Sequence, residues 1–291
     1  MSLPPPDAEG HTIPQLHQAL VDQLTKNGSI TTSAVEAAFR AVSRHLFLPH
    51  VPPEHVYQDQ AIPTKYDEGR AISSSSQPTI MAIMLEQLAL APGHRVLEIG
   101  AGTGYNAALM AHIVGDTGHV VTIDVDEDLV TQARDHLTTA GFSHVTVVQG
   151  DGAFGYPHSA PYERIILTVG AWDIAPAWGE QLAPQGRIVL PLTLLPSLML
   201  SVALERVDHG FQSVSAKPCG FMPLRGAYAH PRTWEWAQPS VGVYPKKLPQ
   251  PVGTNEIGIV KDWHQMIIRW PQYEASSEEQ VQPKSQSGQS A

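Results

Sequence analysis

Apolar residues recur at helical spacing in the first quarter of the chain and in strand-length blocks after it. Leu16, Leu20, Val21 and Leu24 fall on one face of a helix that Gly28 stops. Ser33 and Glu36 have the spacing of a capping box, which opens a second helix through Phe39 and Val42, ended by Pro49, Pro52 and Pro53. Residues 57–76 are polar and without period, so they read as a loop. A third helix covers residues 79–90, with Ile80, Met84, Leu85 and Leu88 on one face. Strands follow near residues 95–99, 119–124, 145–149, 164–168 and 187–191, with helical stretches between the first three and a shorter one around 176–182.

Alternation of this kind predicts an α/β fold with a doubly wound, mostly parallel sheet and a ligand site at the carboxyl ends of the strands. The most apolar stretch, residues 188–204, contains Pro191 and Pro196, so it reads as two strands around a turn rather than a membrane span. Longer strand-like runs at 198–207, 212–221 and 257–270 suggest antiparallel strands and a β-rich extension. The expected division is a disordered start (1–12), an N-terminal helical cap with a substrate loop (13–78), a core (79–226), a C-terminal extension (227–273) and a disordered tail (274–291).

The chemistry concentrates at the first core strand, Val96-Leu97-Glu98-Ile99, which runs into Gly100, Gly102 and Gly104 and then a helical pattern. Glycines at a strand–turn–helix junction bring backbone against a ligand, because no Cβ holds it away. The next strand ends in Asp124, about 20 residues on, where a carboxylate can accept from ribose hydroxyls. A dinucleotide fingerprint needs glycine where Tyr105 stands, and a phosphate loop needs Lys and Ser/Thr after its last glycine, where Tyr105 and Asn106 stand. Glu98 would repel a pyrophosphate but suits an ammonium group. The ligand these residues want is a nucleoside with a cationic tail and no phosphate, a description that S-adenosylmethionine meets. The block resembles motif I of class I methyltransferases, which implies a Rossmann-like methyltransferase sheet.

Composition narrows the rest. A net charge of −10 with no basic stripe argues against a nucleic-acid partner. One cysteine, Cys219, excludes a disulfide framework and fits a reducing cytoplasm, and no signal segment opens the chain. His45, His50 and His55 recur every five residues, a spacing that matches surface histidines better than a metal site, so no metal is expected.

Gly150-Asp151-Gly152 follows the third strand. Asp151 either accepts from an adenine amine, with Gly152 giving backbone access, or makes an ordinary Asp-Gly turn. Thr168 and the residues after it should floor the pocket, Val125 should stand beside Asp124, and Trp172 is either a pocket wall or packing.

Further blocks accumulate in order: Arg44-His45-Leu46-Phe47-Leu48-Pro49, then Tyr57 and Asp59, Ser76-Gln77-Pro78, motif I, Gly150-Asp151-Gly152, Ala160-Pro161-Tyr162-Glu163-Arg164 and Phe221-Met222-Pro223-Leu224. Together, over about residues 35 to 226, they resemble the protein-L-isoaspartate O-methyltransferase family. The resemblance implies methyl transfer from S-adenosylmethionine to a carboxylate of an abnormal aspartyl residue in a peptide or protein, with Ser76 near that carboxylate and Ser75 and Gln77 beside it. Such a carboxylate, with an unperturbed pKa of about 3.9, is already ionised at neutral pH and needs no general base. Alignment and desolvation then suffice, and Ser76 is expected to orient the attacking oxygen, unless it only caps the helix at Pro78.

The blocks depart from the family where substrate should lie. The loop 66–77 is longer than the family's compact form, Gly170-Ala171-Trp172-Asp173 replaces a run of small residues, and residues 227–291 have no counterpart in a minimal repair enzyme. This resembles relatives that methylate one aspartate of a ribosomally made precursor and yield aspartimide, which is the reading favoured here. A general isoaspartyl repair enzyme and an inactive cofactor-binding scaffold stand as alternatives. Arg225 is either the cation that recognises a carboxylate or peptide, for which an arginine fork is suited, or one partner of a surface ion pair.

Overall fold

The computed structural model describes residues 12–195, 198–207, 210–229, 242–245 and 266–269. The expectations for residues 1–11, for the tail 274–291 and for most of the extension between 230 and 265 lie outside the described residues.

Helix α1 (Ile13–Lys26) buries Leu20, Val21 and Leu24 and ends at Asn27, followed by Gly28 at φ +77°. Helix α2 (Ser33–Ala41) starts one residue earlier in cap terms than the sequence suggests. Its N-cap is Thr32, whose Oγ1 accepts from Val35 N at 3.4 Å, so Ser33 is the first helical residue and not the cap. The Glu86 carboxylate accepts from the Thr31 and Thr32 N–H groups (2.7 and 2.8 Å), which ties the start of α2 to α4 (Pro78–Leu88). Nor do the prolines end α2, because Val42 is already extended at φ −95°, ψ 107°. A single 3-10 turn, Arg44–Phe47, follows, and Pro53 opens the short α3 (Pro53–Val56).

The polar stretch read as a loop is largely a β-hairpin. Strands β1 (Ile62–Asp67) and β2 (Arg70–Ser75) pair antiparallel around Glu68 and Gly69, both at positive φ (45° and 77°). Two successive left-handed residues make the tight turn whose twist matches a hairpin. No apolar alternation marks these strands, because most of their residues are at best half-buried.

The core matches the alternating pattern. Strands β3 (Arg95–Ile99), β4 (His119–Asp124), β5 (Thr146–Gln149), β6 (Tyr162–Leu167) and β7 (Leu182–Leu195) run parallel in the order β5-β4-β3-β6-β7. Helices α5 (Tyr105–Val114), α6 (Glu127–Thr139) and α7 (Pro176–Gln181) connect them. The sheet continues antiparallel through β8 (Leu198–Val207) and β9 (Gly210–Pro218) to β11 (Met266–Arg269) and β10 (Gly242–Pro245). Alternate residues of each core strand enter opposite cores. Val96, Ile166 and Val189 pack with α1, α2, α4 and α5, whereas Leu97, Ile165 and Ile188 pack with Trp178 of α7. The chain order reverses at β3, with β4 on one side and β6 on the other, which is where open α/β sheets leave a crevice.

Candidate active site

A cavity of about 630 Å³ opens at that crevice, beyond the carboxyl ends of β3, β4 and β6. One wall is the glycine turn. Gly100, at φ +103°, is held by its N–H to Ile123 O (2.8 Å), and a Cβ there would lie 2.5 Å from Thr168 Oγ1. Thr168 in turn donates to Gly100 O at 2.6 Å, stitching the end of β6 to the turn. Gly102, at φ +51°, lines the cavity, and a Cβ there would make ordinary contact with the facing wall, 3.8 Å from Ser74 O and 4.0 Å from Ser73 Oγ.

Asp124 closes this wall from β4. Its Oδ2 accepts from Gly102 N at 3.0 Å and its Oδ1 from Asp126 N at 3.3 Å. Burial raises its pKa, against the pull of those N–H donors. Each carboxylate oxygen still has an acceptor site to spare. Val125 and Gly152 also line the cavity. Gly152 has a second reason to be glycine, since a Cβ would meet Ile99 Cγ2 at 2.3 Å.

The opposite wall is the run Ser73 to Gln77, carried from β2 into α4. Ser76 lines the cavity, and its hydroxyl has no protein partner among the described residues. It does not cap α4. Gln77 occupies the N-cap position without a side-chain cap bond, and Asp59 does the capping from outside the helix. Asp59 accepts from Thr79 N (2.8 Å), Thr79 Oγ1 (2.7 Å) and Gln77 Nε2 (3.1 Å). Behind the serines lies Arg44, fully buried, with its guanidinium on the carbonyls of Val56 (2.8 Å) and Ser76 (2.9 Å) and on Ser75 Oγ (3.2 Å).

Five residues singled out from sequence are placed differently. Glu98 is fully buried and away from the cavity wall, its carboxylate accepting from Asn106 Nδ2 (2.8 Å) and Thr122 Oγ1 (2.6 Å). The two-residue strand period puts it on the face of Val96, under α5, where it braces the turn from behind. Desolvation pushes its pKa up to about 7. Gly104 serves packing: a Cβ there would press on Leu137 Cγ at 3.2 Å and Ala133 O at 3.3 Å. Asp151 turns from the cavity to accept from Ala153 N (2.9 Å) and Ala227 N (2.6 Å). Trp172 stacks on Tyr228, with ring centroids 5.5 Å apart, and donates to Tyr228 O at 3.1 Å, which makes it packing for the segment after Gly226. Arg225 does line the cavity, but its guanidinium pairs with Asp126.

The residues that sequence reasoning passed over are Arg44, Asp59, Lys65 and Asp126. Arg44 and Asp59 stand inside quoted family blocks, so a signal for them existed, whereas Lys65 and Asp126 become neighbours only through the hairpin. His45 is not a surface residue either: it is half-buried, with Nδ1 2.7 Å from the Tyr57 hydroxyl. Among the described residues no cluster of three metal-ligating side chains occurs, and no helix is long and apolar enough to cross a membrane.

An acceptor carboxylate at the end of β4, a cavity-lining glycine turn at the end of β3 and apolar walls such as Ile99, Ile123 and Leu129 fit a nucleoside with a short polar tail. Fold and cavity together define a class I, S-adenosylmethionine-dependent methyltransferase. A sequence model described as protein-L-isoaspartate(D-aspartate) O-methyltransferase (PCMT) matches residues 15–228. The protein-L-isoaspartate O-methyltransferase of Methanosarcina mazei is 42% identical over 218 residues, covering 75% of this chain and 86% of the relative. That of Hyperthermus butylicus is 38% identical over 222 residues, covering 74% and 90%. A solved protein-L-isoaspartate O-methyltransferase structure superimposes with a TM-score of 0.67 at 33% identity, covering 73% of this chain and 67% of that one. The chain belongs to the protein-L-isoaspartate(D-aspartate) O-methyltransferase family, whose methyl donor is S-adenosylmethionine.

Proposed function

We propose that this protein methylates the free carboxylate of isoaspartyl residues in peptides or proteins, the first step of their repair. The observation that carries the reading is the facing pair of walls: Asp124 and the glycine turn on one side, and on the other Ser76 with a hydroxyl uncommitted within the described protein. The names of its relatives support the same substrate.

Gly100, Gly102, Asp124, Val125, Gly152 and Thr168 would hold the cofactor, with Asp124 accepting from the ribose. When bound, S-adenosylmethionine supplies an electrophilic methyl on a sulfonium, a good leaving group. Ser76 donates a hydrogen bond that aims the substrate oxygen, and Ser75 and Gln77 shape the wall beside it. The substrate carboxylate is already an anion at neutral pH and could take the methyl group directly, so no residue of the chain would have to remove a proton. That accounts for the chemistry without an acid-base pair, by orientation and exclusion of water. In the ester, the next backbone nitrogen can displace methanol and close a succinimide, which hydrolyses in part to aspartate.

A second reading, methylation of one aspartate in a ribosomally made precursor to give aspartimide, is favoured by one observation. The segment just past the Phe221-Met222-Pro223-Leu224 block is tied to the site's margin, through Arg225 to Asp126, Ala227 to Asp151 and Tyr228 to Trp172. Labelled S-adenosylmethionine, offered with an isoaspartyl peptide, its aspartyl twin and a modified precursor, separates the readings. Label on the isoaspartyl peptide is expected. Label on the precursor alone would replace repair with maturation, and cofactor binding without any transfer would leave a scaffold.

A further inference from the structure

Arg44 presents an imbalance that packing does not explain. Its side chain is fully buried, yet among the described residues no carboxylate lies within ion-pair distance of it. Its Nη atoms are met by carbonyl and hydroxyl oxygens alone, those of Val56, Gln58, Gln60, Ser75 and Ser76, and its Nε has no acceptor. A buried cation without a paired anion is costly, and arginine cannot shed its proton to escape that cost.

The geometry shows what the charge faces. Nη2 reaches Ser76 O at 2.9 Å and Ser75 O at 3.5 Å. In a planar trans peptide the N–H of the next residue points opposite to the carbonyl. The N–H groups of Ser76 and Gln77 are therefore turned away from the guanidinium. Both residues line the cavity, and neither N–H has an acceptor among the described residues. Asp59, whose charge is felt at Arg44, is committed by hydrogen bonds to Thr79 and Gln77.

We propose that Arg44 is the positioning residue for the substrate carboxylate: it orients the Ser76 and Gln77 N–H groups beside the Ser76 hydroxyl and places a fixed positive charge behind them. The proposal rests on the isoaspartyl reading above. It also supplies the local cation that a carboxylate substrate needs in a protein of net charge −10, once Arg225 is committed to Asp126.

The test compares an isoaspartyl peptide with its neutral isoasparaginyl twin as competing ligands, in the full chain with adenosylhomocysteine bound. Arg44→Gln is expected to weaken binding of the anionic peptide about tenfold or more, while the neutral peptide and adenosylhomocysteine change less than about threefold. Arg44→Lys, which keeps the charge but not the fork, should retain the preference for the anion and lower kcat. Equal loss of both peptides, or of neither, in Arg44→Gln overturns the proposal, as does loss of the anion preference in Arg44→Lys should the Gln variant not fold. A wild-type protein that neither binds nor methylates the isoaspartyl peptide removes the functional reading first, and this proposal with it. Wild-type turnover with unaltered discrimination in the variants overturns the role of Arg44 alone.

Discussion

Arg225 and Asp126 meet in a two-point ion pair, with Nη1 to Oδ1 at 3.1 Å and Nη2 to Oδ2 at 2.7 Å. Lys65 of the hairpin joins the same carboxylate at 3.0 Å and reaches Asp128 at 2.6 Å. Three segments distant in sequence are thereby clasped at the edge of the cavity. The Arg225 guanidinium, followed by burial and Lys65, sets the Asp126 carboxyl's affinity for protons, with the net effect of lowering its pKa. Arg225→Met should release adenosylhomocysteine several-fold faster while stability falls by less than about 1 kcal/mol, because the pair is partly solvated. Stopped-flow displacement measures the rate, and an unaltered rate would show that the clasp does not cover the ligand.

Asp124→Ala removes the acceptor proposed for the ribose. Adenosylhomocysteine affinity should drop by about 2 kcal/mol, the worth of a charge-assisted hydrogen bond. Calorimetric titration decides it, and retention of wild-type affinity would take Asp124 out of the cofactor site.

Ser76→Ala should slow methyl transfer with adenosylhomocysteine affinity and Tm nearly unchanged, since the hydroxyl neither caps α4 nor touches the glycine turn. Single-turnover kinetics on an isoaspartyl peptide provide the readout. A wild-type rate would leave Ser76 as wall and nothing more.

Glu98 makes stability depend on pH. Burial raises its folded pKa to about 7 from the ordinary 4.5 of a glutamate, so the folded state binds its proton more tightly than the unfolded chain does. The stabilisation this brings is full below the unfolded value, about 4.5, and is lost as pH rises through about 7. Across that window the loss is roughly 3 kcal/mol. Glu98→Gln should flatten the fall in Tm between those pH values. An equal slope in the variant and the wild type would mean that another group carries it.

Much of the core was legible because its signals are local. Strands β3 and β4 have the limits that their short apolar runs predict, because both faces of a central strand are buried and the run stops where burial stops. The hairpin was not legible, since its strands face the cavity and solvent and bear serines where alternation would need apolar residues. Their place beside glycines makes Glu98 and Asp151 look like ligand contacts. Which way a side chain leaves a strand or turn depends on register and on what packs against it: α5 claims Glu98 and the Ala227 N–H claims Asp151.

By itself the sequence determined the order of the core strands and helices, the glycine turn after β3 and the carboxylate that ends β4, because period, glycine and strand length act within a few residues. Only the tertiary structure decided which charges are free and which are committed. Arg225 meets Asp126 across 99 residues and Arg44 meets Ser76 across 32, and electrostatic energy depends on distance and burial, which chain order does not contain.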